Sequence, residues 1–255
     1  MKRLLTGLFC AVVFIGIASF LPTGFEWLWA AIFLLALTEG LTVAGLSGIE
    51  RIYFLFSGFF LLYTAEAVFV NAEIRYLVII GAILIALNKN DLFPALERLS
   101  LGFFLLMYFS LMSCGSELYY RLGAAKFIWL FSFLWCYDIF AFYFGCSFGR
   151  HKICPRISPK KSWEGFIAGL SGTFIVEFAV ASHFFGTGVF TVSVLAIIAS
   201  VIGHTGDIFE SAWKRRANLK DSSSILPGHG GVWDRIDGAI LVLPAFLFVM
   251  QYFEI

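Results

Sequence analysis

Residues 4–25, LLTGLFCAVVFIGIASFLPTGF, carry no charge and outlast the roughly 20 residues that cross a bilayer. Lys2 and Arg3 stand just before them, which gives the stretch the look of a secretory signal. No small-residue cleavage site follows, and apolar segments continue along the chain, so the stretch is expected to stay as a first transmembrane helix. The rest of the sequence agrees. Of 255 residues, 60% are hydrophobic and 14% are charged, and the mean hydropathy is +0.88. A soluble domain of this size has too little polar surface to cover so much apolar side chain.

Runs of apolar residues and their breaks predict nine helices, near 4–21, 25–43, 52–70, 74–88, 99–118, 127–147, 165–184, 188–210 and 236–253. Pro22, the Gly45–Gly48 stretch, Asn71, Asn88 to Pro94 and Gly186–Gly188 supply breaks. The expected fold is therefore all-α and polytopic. With a cytoplasmic N-terminus and nine crossings, fifteen of the 18 lysines and arginines fall on the cytoplasmic side. Arg75, Arg121 and Lys126 fall on the other, as the positive-inside rule favours. The five cysteines (Cys10, Cys114, Cys136, Cys146, Cys154) form no CxxC pair and read as structural.

Charge divides the chain into residues 1–125, a bundle of transmembrane helices, and residues 126–255, which hold two long basic loops at 148–164 and 211–235. Both loops face the cytoplasm in this topology, where a soluble nucleotide is met. Asp207, Ser211 and Lys214 share one face if 204–216 continues the eighth helix. Asp234 and Asp237 share a face at the start of the ninth, where the helix dipole favours carboxylates. Three carboxylates flanked by basic residues at a membrane–water boundary suit a magnesium–triphosphate complex. Gly228, Gly230 and Gly231 let backbone amides approach phosphate oxygens closely. A solvated loop with turn glycines explains any one of these residues, but not aspartates clustered among arginines. Within the predicted spans, Asp138 is expected to reach the site cavity, Glu39 and Glu66 to hydrogen-bond inside the bundle, and Glu177 to be structural.

Ser211-x-x-Lys214-Arg215, Lys220-Asp221, Leu226-Pro227-Gly228-His229-Gly230-Gly231 and Asp234-Arg235-x-Asp237 together resemble the signature of phosphatidate cytidylyltransferases. Gly206-Asp207-x-x-Glu210-Ser211, Ser158-Pro159-Lys160-Lys161-Ser162-Trp163-Glu164-Gly165 and Asp138 with Ala141-Phe142-x-x-Gly145 extend the likeness over residues 138–240. The resemblance implies magnesium-dependent transfer of CMP from CTP to phosphatidate, with a second cation compatible with so many carboxylates. It further implies a multi-pass, homodimeric protein of the inner membrane, its site open to the cytoplasm, with no nucleic acid among its partners. Asp207 and Asp234 carry over as metal ligands, with Asp237 a third. Ser158, Lys160, Lys161, Lys214, Arg215, Lys220 and His229 carry over around the phosphates. Ser211, Asp221 and Arg235 join the substrate-binding set, with the three glycines and Asp138. His229 reads as holding its loop or donating to a phosphate oxygen more readily than as an acid toward pyrophosphate.

Rival readings fit less well. A CDP-alcohol phosphotransferase needs a DGxxAR run, but Asp237-Gly238-Ala239 is followed by Ile240. A CTP-using polyprenol or phytol kinase lacks the full signature. A transporter built from related halves would not gather its polar residues at one end.

Overall fold

The computed structural model describes residues 2–46, 48–63, 92–228 and 230–252. The predicted fourth helix, Glu66 and His229 lie outside them. The described chain is nearly all helix: α1 (Lys2–Phe20), α2 (Pro22–Val43), α3 (Gly48–Tyr63), α4 (Leu92–Ser110), α5 (Ser113–Phe148), α6 (Trp163–Val180), α7 (Val189–Ile198), α8 (His204–Arg216) and α9 (Trp233–Tyr252). Among the described residues, four helical stretches are long and apolar enough to cross a membrane: Pro22–Val43, Pro94–Phe148, Trp163–Phe185 and Val189–Arg216.

The reversal expected between residues 118 and 127 occurs inside α5. Gly123 leaves helical geometry at φ 76°, ψ 167°, a conformation that a residue with a Cβ rarely takes. Ring contacts show the chain turning back. Met112 and Tyr119 meet Trp29 and Phe25 on the way out, and Phe127 and Phe131 meet Phe25 and Trp29 on the return. The short break at Leu111–Met112, between α4 and α5, was not expected.

On α2, Phe25, Trp29, Phe33 and Leu37 recur every fourth residue and are buried, as one face of a 3.6-residue helix requires. α3 and α4 pack on this helix. In the second half α5 lies along α6, which starts at Ser162, whose Oγ accepts from the Gly165 amide at 3.2 Å.

One local feature differs from an all-helical reading. The basic loop after α5 forms an antiparallel hairpin, β1 (Lys152–Cys154) with β2 (Ser158–Ser162), pairing Lys152 with Ser162 and Cys154 with Ser158. The predicted eighth helix runs on to Arg216 as α7 and α8, joined through a π-helical segment at Ala199–Gly203. Such widened turns recur at functional sites. The hairpin brings Lys161 back over the start of α8.

Candidate active site

Three glycines let α8 and α9 touch. A Cβ on Gly206 would lie 2.6 Å from the Asp237 carbonyl oxygen, and Gly238 faces the backbone of Gly203. At this separation acidic side chains from both helices converge. Carboxyl oxygens of Asp207, Glu210 and Asp237 lie within 4.8 Å of one another. Asp207 and Glu210 are three residues apart on α8 and share its inner face. Among the described residues, Glu210 Oε1 is buried with no hydrogen-bond partner, while Oε2 takes Lys214 Nζ at 2.6 Å.

Basic side chains hold this cluster from two sides. Lys161, delivered by β2, places Nζ 2.6 Å from Asp207 Oδ2 and donates to the His204 carbonyl at 3.3 Å. Lys214 bridges Glu210 and Asp234 Oδ1. Ser211 Oγ donates to Asp207 Oδ1 at 3.3 Å. Asp234 Oδ2 accepts from the amides of Gly231 (2.7 Å) and Ser222 (3.0 Å) and from Ser222 Oγ (3.0 Å). Burial opposes charge on Asp234, yet hydrogen bonds from Lys214 and these amides outweigh it and hold the carboxyl down at about 2.

These groups form one end of a cavity of about 790 Å³. Its polar wall carries the carboxyls of Asp138, Asp207, Glu210, Asp221, Asp234 and Asp237 against Lys160, Lys161, Lys214 and Arg235. Asp138, from α5, is in electrostatic reach of Asp207, Lys161 and Arg235. The other end is apolar, with Phe9 and Phe14 from α1, Leu28 and Ile32 from α2, and Leu134 and Trp135 from α5.

The described candidates from the sequence sort into four groups. Asp138, Ser158, Lys160, Lys161, Asp207, Lys214, Asp221, Asp234, Arg235 and Asp237 line this one cavity. Ser211 and Gly231 touch it through Asp207 and Asp234. Arg215 and Lys220 point elsewhere: both are exposed, and Arg215 donates to the Leu219 carbonyl at 2.7 Å, closing the end of α8. Gly228 and Gly230 adopt positive φ (78° and 82°) and shape the turn that pairs Leu226 with Gly230. Asp234, expected as a ligand, is engaged by Lys214 and loop donors, and Glu210 stands beside Asp207 and Asp237. The oxygen-only donor set and the orphaned Glu210 Oε1 fit a hard divalent cation.

Two lining residues were missed. Glu210 sits within the quoted Gly206-Asp207-x-x-Glu210 run, and its i, i+3 spacing from Asp207 was the available signal. His204, one helical turn before Asp207, accepts from or donates to the Tyr137 hydroxyl at 2.7 Å through Nδ1; its Nε2 is buried without a partner. Nothing in the sequence marked Tyr137 as its neighbour.

Comparison with known proteins gives the family. The model of the cytidylyltransferase family matches residues 1–253. Phosphatidate cytidylyltransferase of Thermotoga maritima is 35% identical over 173 residues, 66% of this chain and 63% of the relative. The Staphylococcus haemolyticus protein of that name is 35% identical over 181 residues, 68% of each chain. That of Brucella abortus is 41% identical over 118 residues, 46% of this chain and 44% of the relative. The first of these matches thus spans less than two thirds of its relative's length. Over nearly its whole length, this chain belongs to the cytidylyltransferase family.

Proposed function

We propose that this chain transfers CMP from CTP to phosphatidate, giving CDP-diacylglycerol and pyrophosphate. The observation that carries the reading is the two-ended cavity: carboxylates and lysines line one end, and helix side chains suited to acyl groups line the other. A nucleotide alone has no use for the apolar end, and a hydrocarbon alone has none for the charged end. Phosphatidate needs both.

In the reaction an oxygen of the phosphatidate phosphate attacks the α-phosphorus of CTP, and the bond from that phosphorus to the bridging oxygen breaks. Pyrophosphate leaves with the electron pair. The nucleophile is already anionic near neutral pH, so no strong base is required. The obstacle is repulsion between two polyanions, made worse by a wall with more carboxyls than cationic side chains. Asp207, Glu210 and Asp237 would hold magnesium, which supplies charge neutralisation and Lewis-acid polarisation of phosphate oxygens. Lys160 and Arg235 line the cavity and are exposed, so they can meet phosphate oxygens. Lys161 and Lys214 keep Asp207, Glu210 and Asp234 fixed, so that little reorganisation is needed as charge moves to the leaving group.

The site opens to the cytoplasm in this proposal, with the N-terminus on the same side of the inner membrane and two copies forming a homodimer. A cysteine at Thr187 should then be labelled from outside, and one at Ser224 from inside. The reverse pattern would overturn the orientation. The mass of the detergent-solubilised protein tests the dimer.

Activity is tested with membranes containing the protein, phosphatidate, magnesium and CTP labelled at either the α- or the γ-phosphate. Label from the α position should enter lipid with stoichiometric pyrophosphate. Lipid labelled from the γ position would instead identify a kinase, and no lipid label at all would sink the proposal.

A further inference from the structure

Glu39 lies on α2, outside the residues that resemble the signature, and its carboxylate is buried at 3% exposure. Among the described residues, no lysine or arginine forms an ion pair with it. Four donors satisfy it instead. Ser222 Oγ (2.8 Å) and the Trp233 amide (2.8 Å) donate to Oε2; Ser223 Oγ (2.6 Å) and the Val232 amide (2.9 Å) donate to Oε1.

All four donors belong to one short segment, residues 222–233, that leads into α9. Hydrogen bonding inside the bundle, the reading drawn from the sequence, would put partners on neighbouring transmembrane helices. The Val232 and Trp233 amides lie at the start of α9, where a helix leaves donors unsatisfied and a negative charge is favoured. Here the cap comes from another helix. Ser222 Oγ stands between Glu39 Oε2 and Asp234 Oδ2, so its single proton is shared between the two carboxylates. A side chain on Gly231 would collide with that hydroxyl and with the Glu39 carboxylate.

We propose that Glu39 is a positioning residue for the cytidylyl transfer site: it fixes the segment 222–233, and hence Asp234 and Asp237 at the start of α9, against Asp207 and Glu210 on α8. This rests on the function proposed above. The same helix carries Leu28, Trp29 and Ile32 on the apolar wall of the cavity. One rigid element therefore ties the lipid end to the acidic end.

The test uses the full chain purified in detergent. Glu39→Gln keeps the shape, but turns an NH2 group toward groups that are themselves donors. Mn2+ alone is titrated and followed by electron paramagnetic resonance, and turnover is measured separately against Mg2+ and phosphatidate. Removing a partner that orients metal ligands typically costs about 10–100-fold in affinity or activity. Glu39→Gln should weaken Mn2+ binding and raise the Mg2+ requirement by about 10-fold, with a similar loss of kcat. The KM for phosphatidate should stay within about 2-fold, because the apolar wall is untouched. Glu39→Asp, which keeps the charge on a shorter stem, should recover part of each loss. A merely structural role would lower yield or thermal midpoint while leaving the cation requirement of the folded protein unchanged, and that result overturns the proposal. If Glu39→Gln does not fold, Ser222→Ala decides: an unaltered Mn2+ affinity and Mg2+ requirement there also overturns it. Wild-type protein that binds Mn2+ but transfers no label from CTP would refute the transfer reaction and leave the positioning result standing.

Discussion

Two regions of this molecule, the N-terminal helices and the closest helix contacts at the site, use glycine differently. In the N-terminal helices and the outgoing arm of α5, glycines are notches that receive rings: Gly102 faces Phe54, Gly115 faces Trp29, and Gly40 faces Phe109. At three close helix contacts beside the site, glycines face backbone instead. Gly206 meets the Asp237 carbonyl, Gly165 meets the Ala141 carbonyl, and Gly238 meets Gly203. A ring can shift to accommodate a new methyl group, and the cost falls on packing. Two helix backbones can only separate. Close backbone approach is also how membrane helices associate where lipid is as apolar as the helix surface. The first arrangement builds a scaffold, and the second brings carboxylates on different helices within range of one cation.

Substitutions can break that contrast. The largest effect is expected from Asp237→Asn, which removes one of three converging carboxyls and should lower turnover by about 10³-fold. The thermal midpoint should move little, since the lost charge is crowded by other acids. Asp234→Asn should also abolish turnover but cost stability, because buried Lys214 loses a partner; removing one member of a buried pair costs about 3–5 kcal/mol. Equal midpoints for these two variants would show that Asp234 does not anchor Lys214. Gly206→Ala follows. Parting α8 from α9 by a fraction of an ångström should reduce kcat by about 10²-fold, because misplacement on that scale carries such a cost. Near-normal activity there would mean that close contact between the helices is not what aligns the acids.

Gly102→Ala tests the other region. The added methyl presses on Phe54 and should cost about 1–3 kcal/mol, while the folded fraction keeps wild-type specific activity. A selective loss of activity would dissolve the distinction between scaffold and site. Smallest is Tyr119→Phe, which removes the hydroxyl donor to the Ala18 carbonyl at 2.7 Å. About 1 kcal/mol of stability should go, with no change in turnover.

Much of this was legible along the chain, and particular residues show where legibility stopped. The reversal near Gly123 followed from the break between two apolar runs. Asp207, Ser211 and Lys214 were placed on one face by helical spacing, and Asp207 and Asp237 were singled out as carboxylates beside basic residues. Glu210 stands in the same run as Asp207, but its burial and its free oxygen depend on how closely α9 approaches. That Lys214, Ser222 and Gly231 all donate to Asp234 is likewise not visible locally. The hairpin at 152–162 was missed because a basic Pro-containing loop has no apolar alternation to announce strands. Glu39 is expected from the sequence to hydrogen-bond inside the bundle, but nothing local names residues 222–233 as its donors. Its partners are more than 180 residues away.

Sequence by itself determined the membrane character, the positions of most helices and the inventory of charges, because hydropathy, helical period and turn residues act over a few neighbours. Tertiary structure alone decided which charges meet. Whether a carboxylate faces a cation, a lysine or a helix cap depends on the distance between helix axes, here set by Gly203, Gly206 and Gly238, and on one glutamate reaching across from α2.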